Sequence, residues 1–110
     1  MISIDDLSKV EIRVGKILEV EKVPDTDKLL KLSVDLGEEI PRTIVSGVAL
    51  YFPDPTTLIN KKCMFVANLE PRKIRGIESN GMILAVSSED GINFSLLSPD
   101  DSIPAGTKAK

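Results

Sequence analysis

Apolar side chains recur at every second position over much of the chain, which is the period of a strand with one face buried. Val10, Ile12 and Val14 alternate with Glu11 and Arg13. Beyond Gly15 the pattern resumes at Leu18 and Val20 with Ile17 out of phase, as a long first strand bent at a glycine would give. Leu30, Leu32, Val34 and Leu36 alternate with Lys31, Ser33 and Asp35, predicting a second strand that stops at Gly37 and Glu38. Residues 43–49 predict a third. Residues 62–69 and 82–87, apolar at nearly every position, predict two more enclosed strands.

Between the third and fourth strands, YFPDPTTLINKK carries Pro53 and Pro55, which forbid a central strand, while PTTLIN suits one short helical turn. Five strands with a short helix in that place follow the order of an OB-fold, a small Greek-key barrel closed largely on itself. An SH3-like barrel or a small sandwich fits the same periodicity. After the fifth strand more than twenty residues remain, punctuated by EDG, NFSLL, PDD and IPAG. The chain reads as one all-β domain, a barrel over about 10–88 and an extension over about 89–110. Phe94, Leu96, Leu97 and Ile103 of that extension need cover, on the barrel wall or on a second copy.

Composition narrows the chemistry. At 110 residues the fold buries roughly two-thirds of the surface an unfolded chain exposes, so a single core suffices without a disulfide or a structural metal. The single Cys63 lies in the apolar run KCMFVANL and reads as a reduced, small hydrophobe. Apolar stretches fall well short of the ~20 residues of a membrane span, and MISIDD has no signal-peptide core. A soluble cytoplasmic protein without a membrane partner is expected. The chain has no His, which excludes Ser-His-Asp and Cys-His catalysis and HExxH zinc sites. Asp25 with Asp27, Glu38 with Glu39, and Asp100 with Asp101 sit beside Pro or Gly and read as solvated loop carboxylates. Neither a GxxxxGK[ST] nor a GxGxxG loop occurs, and no cofactor is expected.

Net charge is −3, but its distribution is uneven. Residues 61–75 hold Lys61, Lys62, Arg72, Lys73 and Arg75 against Glu70 alone, a net +4 that leaves −7 on the other 95 residues. In NLEPRKIRG, Pro71 breaks the strand and the cations at 72, 73 and 75 follow in a loop closed by Gly76. Such a loop can lay two guanidinium forks and an ammonium along a phosphate backbone. A solvated cationic loop that only aids solubility is the competing reading. Aromatic residues are few: Tyr51, Phe52, Phe65 and Phe94. A stacking platform for single-stranded bases is poorly supplied, so a binder of shape and phosphate is favoured over a reader of sequence.

Three ordered stretches carry a resemblance: EIRVGKILEVEKVPDTDKLLKLSVDLGEE at 11–39, RTIVSGVA at 42–49 and NLEPRKIRGIESNGMILA at 68–85. Together they resemble the tRNA-binding domain appended to the C-terminus of many methionyl-tRNA synthetases, which also occurs as free-standing tRNA-binding proteins and in eukaryotic aminoacylation cofactors. The resemblance implies an OB-fold, a homodimer made with the C-terminal extension, and shape-directed binding of tRNA without catalysis. It places a functional strip on Asn68, Arg72, Lys73, Arg75, Ser79, Asn80 and Met82, with Lys28, Lys31 and Ser46 as neighbours on the barrel face. It assigns Phe94, Leu96, Leu97 and Ile103 to the dimer interface. Ser79 and Asn80 suit phosphate or 2′-hydroxyl oxygens, and Met82 suits either an adaptable apolar contact or core packing.

The chain also departs from the family pattern. Val23 stands where many members have His, Glu70 where Lys is common, and Arg72 where Ala is common, so the charge of the strip is redistributed. Weak, strongly salt-dependent affinity is expected. Gly15, Gly47 and Gly76 read as backbone bends. The implied role is an auxiliary module that raises the local concentration of tRNA near a methionyl-tRNA synthetase catalytic domain, in cis or in trans. The competing function is an export-related chaperone, since small relatives of this domain have that role and the apolar extension could form a peptide groove.

Overall fold

The computed structural model describes every residue from Met1 to Lys110. Nine strands form: β1 (Ile12–Lys22), β2 (Leu30–Asp35), β3 (Arg42–Ser46), β4 (Lys62–Val66), β5 (Arg72–Ile74), β6 (Ile77–Ser79), β7 (Met82–Ile83), β8 (Ala85–Ser87) and β9 (Phe94–Leu96). β3, β2, β1, β4 and β7 lie side by side in one antiparallel sheet, and β5–β6 and β8–β9 are separate hairpins. The sheet curls into a nearly closed OB-fold barrel. β1 makes this possible by serving two neighbours, since Ile12–Lys16 pair with β4 and Lys16–Lys22 with β2.

The inward face of β1 differs from the expected one. Ile17 is fully buried in the core, and the pairing register slips between Ile17 and Glu19, so that Leu18 is an extra residue. A bulge of this kind reverses the faces of all later side chains. The change of phase therefore falls at Leu18, and Gly15 and Ile17 share the inner face with Val20 beyond it. Gly15 must lack a side chain: a Cβ there would stand 2.5 Å from the Phe65 ring and 2.7 Å from Val34. Thirteen buried residues, among them Leu30, Leu32, Val34, Ile44, Leu58 and Phe65, fill the barrel.

The expected helix between the third and fourth strands is a 3-10 turn at Pro55–Leu58, capped by Asp54, and a second such turn spans Ala49–Tyr51. The expected fifth strand is split. β7 pairs with β4, whereas β8 turns away to pair with β9, and Leu84 between them donates to Met64. The extension folds back along its own barrel. Gly106 and Ala109 donate to the carbonyls of Val14 and Ile12, Val14 donates to Thr107, and Arg13 bridges to Lys108. Lys62 holds the same segment by donating to the carbonyls of Asp101 and Ile103, each at 2.8 Å. A helix not expected from the periodicity, α1 (Ile4–Ser8), precedes β1 behind a Ser3–Asp6 capping box. No helix is long and apolar enough to cross a membrane.

Candidate nucleic-acid interface

The cations expected in a loop stand on a β-hairpin. Arg72 and Lys73 lie on β5, opposite Ser79 and Glu78 of β6, and Ile74 faces Ile77. Two residues, Arg75 and Gly76, make the turn with φ of 54° and 79°. Positive φ at both positions is the requirement of a type I′ turn, whose twist matches that of the flanking strands. Pro71 thus ends one pairing and opens another. It does not open an irregular loop.

Arg72, Lys73 and Arg75 are all exposed and none takes part in an ion pair. Other cations are engaged. Arg42 holds Glu38 through two 2.8 Å bonds, Arg13 bonds Glu11, and Lys31 lies 3.2 Å from Glu21. Lys62 is removed from the strip by its carbonyl contacts in the extension. The hairpin therefore carries three cations whose charge is uncompensated by direct contact.

Backbone registry connects the hairpin to the barrel. Lys31 of β2 pairs with Val45 of β3, the Val45 amide donates to the buried Ser79 hydroxyl at 2.9 Å, and Ser79 pairs with Arg72. Asn80 donates its amide to the Thr43 carbonyl at 2.8 Å. Lys31, Arg42, Thr43, Ile77, Glu78 and Asn80 line a groove of about 710 Å³ beside the hairpin, which none of Arg72, Lys73 and Arg75 lines. Glu38 and Glu39 line it too. Arg42 keeps Glu38 ionised, and its hydrogen bonds pull that carboxyl below the ordinary value of 4.5.

The remaining sequence-derived positions separate. Ser46 ends β3 opposite Leu30, and Lys28 is exposed in the β1–β2 connection, where its carbonyl accepts the Ala49 amide. Met82 is 47% exposed on β7, so it is not core. The side-chain amide of Asn68 ties the segment before β1: its oxygen accepts from the Glu11 backbone at 2.8 Å, and its nitrogen donates to the Lys9 carbonyl at 2.6 Å. Val23 fills the core. Phe94 stacks on Tyr51 at 4.0 Å and meets Phe52 edge-on at 5.9 Å, and both Phe94 and Leu96 pack against the barrel core. Leu97 and Ile103 are half-buried. Sequence periodicity missed the hairpin because Arg stands at the first turn position, where the recognised two-residue signals carry Asn, Asp or Gly, and only Gly76 marked the turn.

Burial pushes the Cys63 thiol above its ordinary range, leaving it a small hydrophobe. No group of three or more Cys, Asp or Glu side chains is arranged to hold a metal.

The nearly closed five-stranded barrel, with short helical turns between β3 and β4, is an OB-fold. The chain belongs to the tRNA binding domain family, whose profile matches residues 12–108. It is 47% identical over 109 residues to methionine–tRNA ligase of Pyrococcus horikoshii, covering 99% of the chain and 14% of that protein. The chain thus spans about one-seventh of the length of that relative. A methionyl-tRNA synthetase related protein from Pyrococcus horikoshii superposes with a TM-score of 0.92 at 39% identity, over 100% of this chain and 98% of that one. A CsaA chaperone protein from Picrophilus torridus superposes at 0.86 and 31% identity over the full length of both.

Proposed function

We propose that the domain binds tRNA through the β5–β6 hairpin and the adjoining groove, as a non-catalytic module serving a methionyl-tRNA synthetase in cis or in trans. The observation that carries this reading is the set of three unpaired cations, Arg72, Lys73 and Arg75, on a hairpin fixed to the barrel of a tRNA-binding family member. Paired aromatic rings do not offer a stacking platform, because Tyr51, Phe52 and Phe94 pack on one another. Recognition therefore rests on phosphate and shape; Lys31 and Asn80, which line the groove, extend the contact from the hairpin, and Lys28, Ser46 and Met82 make separate contacts. Ser79 holds the hairpin from within through Val45, and Asn68 fixes the segment before β1. The working unit is a cytoplasmic homodimer, which doubles the number of strips presented to one tRNA.

A mobility-shift titration with mixed tRNA at low salt tests the reading. With about 6 to 8 phosphates neutralised, log affinity falls by about 4 to 7 per tenfold rise in salt. Changing Arg72, Lys73 and Arg75 together to Ala abolishes binding. Retention of full affinity by that triple variant would exclude the hairpin. The likeness to CsaA supplies the competing outcome, in which the protein suppresses aggregation of an unfolded client and fails to bind tRNA in the same buffer.

A further inference from the structure

Strand β9 has a neighbour on one side only, pairing with β8 and with no other strand. The Ser88 amide donates to the Asn93 carbonyl and the Leu97 amide to the Leu84 carbonyl. By the alternation of an antiparallel ladder, it is then Ser95 whose backbone groups face β8, opposite Val86. The amides and carbonyls of Phe94 and Leu96 point the other way, where no backbone group of the chain bonds them. Only the Ser95 hydroxyl reaches this edge, donating to the Leu96 carbonyl at 3.0 Å. Proline or charge ordinarily blunts such an edge, and Phe94–Leu96 has neither. The same three residues line a cleft of about 410 Å³, together with Tyr51, Phe52, Ile92 and Lys61. Its apolar lining is accessible, since Ile92 is 78% exposed and Tyr51 41%. Lys61 is exposed, makes no ion pair, and is the one charged residue of the lining.

We propose that this cleft takes an extended segment of a partner protein, added as a strand to the open edge of β9. An apolar side chain of that segment lies against Tyr51, Phe52 and Ile92, and a carboxylate two residues along meets Lys61. Backbone pairing supplies the part of the affinity that is independent of sequence, and the cleft selects the side chains. Side chains two apart on a strand share one face about 6.6 Å from each other, so one segment can present both groups to the cleft. The charge favours an acidic partner, because a lone ammonium stands there with no carboxylate in the lining. A nucleic-acid strand fits less well: one cation offers no row of phosphate contacts, and Tyr51 and Phe94 already stack on each other. The site is separate from the β5–β6 hairpin, so it stands or falls apart from the tRNA reading.

Fluorescence anisotropy with the full chain and a fluorescein-labelled peptide SVTFTES tests the site. Saturable binding is expected. N-methylation of the peptide amides along one edge abolishes it, and methylation along the other edge is tolerated. Replacing the peptide's Phe by Ser weakens binding at least about tenfold. Lys61→Glu, at an exposed position, weakens it about fivefold and turns the preference toward SVTFTKS, while the mobility shift of tRNA is unchanged. Absence of saturable binding at about 1 mM protein overturns the proposal. Equal binding by both methylated forms overturns strand addition. If tRNA displaces the peptide and Lys61→Glu weakens tRNA binding, RNA is the occupant; if the peptide converts the native chain to a 12.0 kDa species in light scattering, a second copy holds the edge. Either result overturns the assignment to a partner protein.

Discussion

The hydroxyl of Ser79 accepts the backbone amide of Val45 at 2.9 Å, and this side-chain bond joins β6 to β3 where the barrel has no ladder between them. A residue assigned from its family position to the RNA surface is therefore 95% buried and serves as a structural bridge. Ser79→Ala leaves the Val45 amide without a partner, costing about 1–3 kcal/mol in denaturant unfolding. The affinity for tRNA falls because the hairpin is no longer held, while the slope of log affinity against log salt stays as it was. A slope reduced by about 0.7–0.9 with native stability would mean instead that Ser79 touches phosphate directly.

Turn geometry and charge can be separated at Arg75. Its φ of 54° suits Asn, and Asn-Gly is the preferred pair for a type I′ turn. Arg75→Asn therefore keeps the hairpin and leaves stability within about 0.5 kcal/mol of the parent. One phosphate contact is lost, and the salt slope drops by about 0.7–0.9. Gly76→Ala does the opposite, costing about 1 kcal/mol or more through its φ of 79° while retaining the cation. Thermal melts and salt titrations on the two variants check the contrast.

Gly15→Ala places a methyl group where Phe65 and Val34 already meet the strand, at 2.5 and 2.7 Å from their nearest atoms. Both neighbours are fully buried, so neither can give way freely. The expected loss is about 1–3 kcal/mol, the range for overpacking a core. Phe65→Leu in the same chain recovers part of that loss. Additive destabilisation by the two changes would contradict the contact.

Acid sensitivity should report the Glu38–Arg42 pair. The Arg42 hydrogen bonds favour the carboxylate, so Glu38 ionises below 4.5 in the folded state and near 4.5 when unfolded. The unfolded chain then binds the proton first, and the pair's contribution is complete above 4.5 and disappears as pH falls through the lower folded value. The Glu38 side chain is 36% exposed, which limits the effect to less than about 1 kcal/mol. Glu38→Gln flattens the acid limb of a stability–pH curve, and an unchanged limb would rule the pair out as its source.

Sequence reading was strongest where one period persisted. Leu30, Leu32, Val34 and Leu36 all lie in the core as their alternation indicated, and the Pro-rich segment forms the short turn between the third and fourth strands. It failed where pairing changed partner over one or two residues. Leu18 is an ordinary apolar residue in the sequence, and its role as a bulge exists only because β2 runs alongside β1. Leu84 likewise lies between two strands with different neighbours.

The sequence by itself determined an all-β chain, the absence of histidine chemistry and the concentration of positive charge around residues 61–75, because composition and period-two burial are local properties. The tertiary structure alone decided which of those cations are free. Lys62 is held by carbonyls 39 and 41 residues away, whereas Arg72, Lys73 and Arg75 make no ion pair; the uncharged Asn68 is likewise held by backbone groups 57 and 59 residues away. Hydrogen bonds between distant segments follow from the closure of the barrel, and they distinguish side chains that face a ligand from those that hold the surface in place.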